Sequence, residues 1–558
     1  MTIAQNFIQG LQRLPDAIKQ MGFEKLREGQ VTPINCIMAC RDTFCILPTS
    51  GGKSAIFAIP TIAMEWHTVV FSPLVALMRD QVQSMNLKGI RSGCVNSSQT
   101  EAQNWLTLRD WSEGSLQLIY VAPERVNNPK FQMAMQAVPP DFIVLDEAHM
   151  LSQVVTSFRP AYRACGELVK QYNPKVIAAF TATATDEIVD DVKNVLHMEN
   201  ACVCRNYFAR TNLHLSSKIL DKNTDVFDEV AKIVSTIKGS IIIYCQTVKE
   251  LVSMVGFLEE RGEQVTFYHG QIHQQGVKEA NMDAFMSNRA RICVATNAFG
   301  MGIDKPDIEC IIHTGPPNSV EAIAQETGRA ARDGRDAYCY MFETPGSRFT
   351  QQFFWDMTFP DGESVRKAYQ ILKDRANNDG VVLITSEDLT SLVGCRSAEG
   401  ALNYLQSCGC VERFTPEEQL YTFGDPLTPL DDLPKSLQGI VSCIRQFGSL
   451  IESREDRSIY KIDLNYLISK VGQTSGTVKG KITRLKKENI MTVEPPFRGK
   501  ATRLIHAPTS DNISAADAKR SAEMMKIEQV AAYIRTPDDK KHDFISNYFN
   551  LKKQDVVK

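Results

Sequence analysis

The chain has 558 residues, too many for one domain, and its size alone predicts three to five. Hydrophobic residues make up 43% and charged residues 23%, the balance of a soluble globular protein, and no apolar run is long enough to cross a bilayer. The net charge of −3 excludes a globally basic nucleic-acid binder, but it leaves room for a local basic stripe.

Residues 1–19 are interrupted by Asn6, Gln9, Gln12 and Asp16, which fits neither a signal nor a transit peptide. A cytoplasmic location is expected, nucleoid-associated in a bacterium. The fifteen cysteines include no CxxC pair and read as reduced, buried thiols. Cys36, Cys40 and Cys45 form the tight cluster, but their spacing matches no common zinc pattern and no His lies nearby, so no zinc is expected.

Along the chain, apolar runs at 43–47, 68–72, 116–121, 142–145 and 176–180 alternate with amphipathic stretches. After a break near 205–240 the pattern resumes at 240–245, 264–268, 291–295 and 310–313. Continuous apolar strands between helices predict parallel sheets covered on both faces, hence two α/β domains over 1–205 and 206–345. Beyond about 365 helical patterns dominate. A helical linker with a first winged helix is predicted over 346–425 and a second winged helix over 426–507, with a boundary near Pro426, Pro429 and Pro434. The second is expected to carry a hairpin through 495–500. A helical hairpin is expected over 508–558.

Pro48, Thr49, Ser50, Gly51, Gly52, Lys53 and Ser54 follow the first strand and precede a helix. Such glycines let backbone N–H groups close on phosphate oxygens, and the helix start adds positive potential. Lys53 would reach the β- and γ-phosphates, and Ser54 would ligate Mg²⁺. Leu47 stands where the phosphate-loop pattern has its first glycine. Asp146, Glu147, Ala148 and His149 follow the run 142–145, so their carboxylates emerge at a strand's carboxyl edge. Asp146 would hold Mg²⁺ through water, and Glu147 would orient or deprotonate the attacking water. The two motifs in this order point to ATP hydrolysis. Arg329 and Arg332, three apart in the segment 325–334, are predicted on one side of a helix. Arg332 is assigned as the arginine finger and Arg329 as a second γ-phosphate contact.

Residues 294–306 and 325–334 resemble motifs V and VI of RecQ helicases. Ser72, Pro73 and Leu74 with 77–82 are similar to motif Ia, 120–125 to Ib and 181–184 to III. Gly22, Phe23 and 26–30 are similar to the family's adenine-reading motif. The resemblance runs from about residue 22 to 342. It implies a DEAH-box motor of two tandem RecA-like domains that clamp one ATP with Mg²⁺ and move 3′→5′ on single-stranded DNA. Arg27 would then stack on adenine and Gln30 would bond its edge, while His149, Gly302, Asp304 and Gln325 would complete the nucleotide site. Ser72, Pro73, Arg125, Phe158, Arg159, Tyr244 and Thr296 would meet DNA.

The chain departs from the family in three places. Val154 and Thr156 stand where a Trp and a His are usual, so weaker coupling of hydrolysis to DNA is expected. An Arg near Val248 in motif IV is missing. Residues 351–366 lack the zinc-module cysteines, while 525–553 resemble that module's hairpin without its ligands, to be held by Tyr533, Phe544 and Phe549. Lys479, Lys481, Arg484, Lys486, Lys487, Arg498, Lys500 and Arg503 form a basic patch suited to duplex phosphates at a fork, with Phe497 as a candidate wedge. The leading reading is a DNA helicase in repair, recombination or genome defence. A duplex translocase and a nucleotide-gated DNA-binding subunit that assembles with protein partners through the winged helices remain open.

Overall fold

The computed structural model describes residues 3–47, 52–152, 160–182, 184–205, 210, 212–222, 224–272, 274, 276–299, 305–415, 420–454, 456–497 and 499–549. The chain divides into two compact units: Met1–Gln351 with Met525–Lys558, and Gln352–Met524.

The first unit contains two parallel sheets. β1 (Thr43–Ile46), β2 (Thr68–Phe71), β3 (Ser92–Val95), β4 (Leu118–Val121), β5 (Phe142–Leu145), β6 (Val176–Thr181) and β7 (Cys202–Arg205) run in the order β3-β4-β2-β5-β6-β1-β7. Alternate residues feed two cores. Phe44, Ile143 and Leu145 face one layer of helices, while Cys45, Phe142 and Val144 face the other. The second sheet contains β8 (Leu213–Ile219), β9 (Ser240–Tyr244), β10 (Val265–Tyr268), β11 (Ile292–Ala295), β12 (Ile308–His313) and β13 (Ala337–Glu343), in the order β10-β11-β9-β12-β13-β8. The apolar runs read from the sequence fall on strands. β3, β7, β8 and the interior strand β13 escaped that reading, whereas the edge strand β10 did not; in β7 and β8 polar residues such as Arg205, His214 and Ser216 interrupt the apolar run.

The end of the chain returns to the second sheet. Val530, Tyr533, Ile534, Ile545 and Phe549 join the core beneath Leu213, Leu215 and Cys339. Tyr533 and Phe544 meet edge-to-face at 5.7 Å. The expected 508–558 domain is therefore not a separate body. Helix Ser510–Arg535 crosses the boundary at 524/525, and the chain after it belongs to the motor unit.

In the second unit, β14 (Val381–Val382), β15 (Val411–Phe414), β16 (Leu420–Asp425), β17 (Ser449–Ser453), β18 (Ser458–Asp463), β19 (Thr492–Glu494) and β20 (Ala501–Leu504) form two small antiparallel sheets. Their orders are β14-β20-β15 and β17-β18-β16-β19. This pairing corrects two expectations. β19 and β20 do not form a hairpin across 495–500: β19 pairs with β16, and β20 pairs with β15. The boundary at 425/426 also moves, because β16 pairs with β18. Residues 415–500 are thus an insertion between two strands that pair with each other. Each part keeps its own core, one around Leu372, Leu389 and Leu405, the other around Ile440, Leu467 and Leu485.

Candidate nucleotide site

β1 leads into the phosphate loop, and helix Lys53–Ala63 follows it. Thr49, Ser50 and Gly51 lie outside the described residues. Gly52 has φ 73, a conformation open to glycine, and an added Cβ would strike the Gln30 amide. Gln30 Nε2 donates to the Gly52 carbonyl at 3.4 Å, and its Oε1 accepts from the Arg27 backbone N–H at 3.0 Å. The helix Glu28–Met38 is thereby tied to the loop it was expected to serve.

Strand β5 delivers Asp146 and Glu147 beside Lys53. Lys53 Nζ stands 3.7 Å from Glu147 Oε1, with both side chains 11% exposed. Glu147 takes φ 50, the left-handed region, which costs a non-glycine residue about 1–3 kcal/mol and is held by its surroundings. Burial pushes its carboxyl up, but Lys53, His149 and Arg329 outweigh this and hold it below its ordinary value. Asp146 goes the other way. Burial and then Glu147 push it up to about 6, against Lys53, the Glu147 N–H and the Ser72 hydroxyl. Glu147 Oε2 finds no hydrogen-bond donor among the described residues. His149 Nδ1 lies 2.9 Å from Thr181 Oγ1, and burial lowers its pKa. Ser54 Oγ donates to Gln81 Oε1 at 3.0 Å.

The second domain contributes Arg329. Its side chain is buried, lies beside Tyr244, and is near enough to Glu147 to favour that carboxylate. Contrary to expectation, Arg329 and Arg332 are not on a helix. The helix Val320–Thr327 ends before them, Gly328 caps it, and Ala331 turns at φ 49. Arg210 holds this turn by donating to the carbonyls of Gly328 at 3.0 Å and of Ala330 and Ala331 at 2.6 Å. Burial and then the nearby Arg332 lower the Arg210 pKa, against Cys339 and Asp333. Gln325 is half-buried on the helix. Gly302 and Asp304 lie outside the described residues.

Several residues expected at DNA lie elsewhere. Tyr244 is 4% exposed, donates to the Phe299 carbonyl at 2.9 Å and stacks on His313, so it is a core residue. Ser72 is 3% exposed and its hydroxyl serves Asp146. Pro73 and Thr296 are buried. Arg125 is engaged by Glu101 at 3.0 Å and by the Asn96 carbonyl at 3.3 Å. Phe158, Arg159 and Arg498 lie outside the described residues. Lys479 is exposed and Lys481 half-buried on helix Ser475–Lys487, and Lys500 is exposed; Arg484 pairs with Glu488 at 2.8 Å. Sequence reasoning missed Arg210, Gln81 and Tyr162. Tyr162 donates to the Phe71 carbonyl at 3.1 Å and to that of Asp146, tying β2 to β5. A lone polar residue far along the chain gives no signal that it will support a loop.

The DEAD/DEAH box helicase family matches residues 27–192, and the helicase conserved C-terminal domain matches 223–334. The chain is 32% identical to the probable ATP-dependent DNA helicase RecS of Bacillus subtilis over 360 residues, 64% of this chain and 72% of that protein. It is 36% identical to the ATP-dependent DNA helicase RecQ of the same organism over 335 residues, 60% of this chain and 56% of that one. RecQ of Haemophilus influenzae is 33% identical over 58% of this chain and 52% of its own length. The chain thus spans about half the length of the RecQ proteins it matches. The crystal structure of the helicase MrfA bound to DNA superposes on 82% of the chain and 64% of MrfA with a TM-score of 0.51 at 14% identity, a likeness of fold. With both helicase domains in order on one chain, and with most of RecS matched, this chain belongs to the RecQ-like helicases of superfamily 2.

Proposed function

We propose that the protein is an ATP-dependent DNA helicase of RecQ type that hydrolyses ATP between its two parallel-sheet domains, moves 3′→5′ on single-stranded DNA and separates forked duplex. The observation that carries this reading is the meeting of Lys53 and Glu147 from the first domain with Arg329 from the second.

The residues present fit a nucleotide with its cation. Gly52 leaves a cradle that a side chain would fill. Burial and then the neighbouring Glu147 push the Asp146 carboxyl up to about 6, a strain that a bound cation would relieve. Bound Mg²⁺ would supply Lewis-acid polarisation of the terminal phosphate, with Ser54 and Asp146 as its protein partners. Lys53 would bind the phosphates, and Arg27 and Gln30 the base. Glu147, kept ionised, would take the proton of the attacking water. Arg329 and Arg332 would balance charge that develops on the transferred group. The exposed cations Lys479 and Lys500 and the half-buried Lys481 would hold DNA phosphates, with Arg484 beside them.

The test is unwinding of a forked duplex with a 3′ single-stranded arm by the wild type and by Lys53→Ala. ATP-dependent unwinding by the wild type is expected, with hydrolysis in the variant down about 10²-fold or more. Hydrolysis with movement on duplex but no strand separation would shift the reading to a duplex translocase. ATP-dependent assembly without unwinding would shift it to a nucleotide-gated DNA-binding subunit.

A further inference from the structure

Helix Glu28–Met38, β1 and β7 bring Cys36, Cys45, Cys202 and Cys204 into one row of sulfurs. β7 is the edge of the first sheet, and Cys204 is the register partner of Cys45 across the β1–β7 pair. Cys202 and Cys204, two apart on a strand, point to the same face, and their Sγ atoms stand 3.8 Å apart. Cys36 lies beside Cys202 from the helix, and Cys45 lies beside Cys204 from the neighbouring strand. Cys36 and Cys202 are partly exposed, whereas Cys45 and Cys204 are buried, so the row runs from surface to core. The sequence cluster of Cys36, Cys40 and Cys45 is broken up by the fold: Cys40 lies instead near Lys175 and Asp141.

All three segments lead to the nucleotide site. The helix carries Gln30 to Gly52, β1 runs into the phosphate loop, and β7 ends at Arg205 before the chain enters the second domain. We infer that Cys202 and Cys204 form an oxidation site, a dithiol that a small hydroperoxide converts to a disulfide with loss of ATP hydrolysis. The effect on hydrolysis rests on the proposed function; the disulfide does not.

Cys204 is the nucleophile. Its sulfur stands 3.8 Å from that of Cys202, and the neighbouring Cys45 and Cys202, with Arg41, hold it below its ordinary value against burial. Cys202 is the resolving thiol, pushed up to about 12 by burial and then by its sulfur neighbours. The Cys204 thiolate attacks the hydroperoxide, an S–O bond forms, the O–O bond breaks, and the departing alkoxide takes a proton from water. The Cys202 sulfur then displaces the hydroxyl of the sulfenic acid. An S–S bond forms, the S–O bond breaks, and water leaves with the Cys202 proton. Two sulfurs give up two electrons and the hydroperoxide accepts them. A disulfide needs its sulfurs about 2.0 Å apart, so the two side chains must close and pull β7 out of register with β1.

The full chain is treated with hydrogen peroxide, alkylated and digested with trypsin without reductant. Trypsin releases 194–205 with both cysteines, separately from 28–41 with Cys36 and 42–53 with Cys45. The expected result is a 194–205 peptide lighter by two hydrogens that takes two labels after dithiothreitol. ATPase activity should fall about tenfold, short of the roughly hundredfold that an ångström of misplacement can cost, and recover on reduction. Cys202→Ser and Cys204→Ser should each abolish both effects with the untreated rate unchanged. A doubly alkylated 194–205 peptide after peroxide, a cross-link of it to 28–41, or a disulfide with unchanged ATPase would overturn the inference. If the reduced protein hydrolyses no ATP, the proposed function fails while the peptide masses still decide the dithiol.

Discussion

Glu147 sits at φ 50 with its carboxylate kept ionised against burial by a lysine from one chain segment and an arginine from another. That arrangement suits a group that takes a proton and is not itself protonated at rest. Glu147→Gln keeps shape and loses the base, so turnover should fall about 10²–10⁴-fold while nucleotide affinity is retained; parallel ATPase and nucleotide-binding titrations check this. Arg329→Ala should lower kcat about 10³-fold or more with a smaller change in KM, as expected for charge stabilised in the transition state. A loss confined to KM would assign Arg329 to ground-state binding. Asp141 offers a pH test away from the site. Burial raises its pKa, but His67 and Lys175 outweigh this and hold it at about 2. Its ion pair with Lys175 spans 2.7 Å. Because the folded value is depressed, its stabilisation is complete above the unfolded value near 4 and is lost as pH falls toward 2. The gap in melting temperature between wild type and Asp141→Asn should therefore be full at pH 7 and shrink below pH 4.

At the scale of elements, the C-terminal hairpin is fastened to β8 by a buried cation. Lys541 has no exposed side-chain surface, and its Nζ donates to Ser217 Oγ at 2.6 Å and to the carbonyls of Tyr533 and Thr536 at 2.9 Å each. Such a group is tolerated because its donors are satisfied. Phe549 closes the same core. Phe549→Ala should cost about 3–5 kcal/mol, read by denaturant unfolding of the motor unit. If the hairpin docks loosely, the cost will be near zero.

For the whole molecule, the insertion at 415–500 makes a separable test. β15 and β20 pair directly, so a short turn can replace the segment without breaking their sheet. The insertion carries Lys479, Lys481 and Arg484, and none of the nucleotide-site residues. Its removal should leave ATPase activity in place and weaken binding to forked DNA, with a shallower dependence of affinity on salt. Unchanged affinity and salt slope would remove the insertion from the DNA-binding surface.

The sequence alone determined the two parallel sheets and the nucleotide motifs. Buried parallel strands must be continuously apolar, and phosphate loops and acidic boxes are local patterns set by backbone geometry. It did not reveal β3, β7, β8 or β13; in β7 and β8 polar residues break that signal. The tertiary structure alone decided which distant groups meet: Arg210 on the 328–331 turn, Thr181 on His149, Tyr244 in the core, and β20 beside β15 and not β19. Each is a long-range pairing, and nothing in the local pattern of residues encodes its partner.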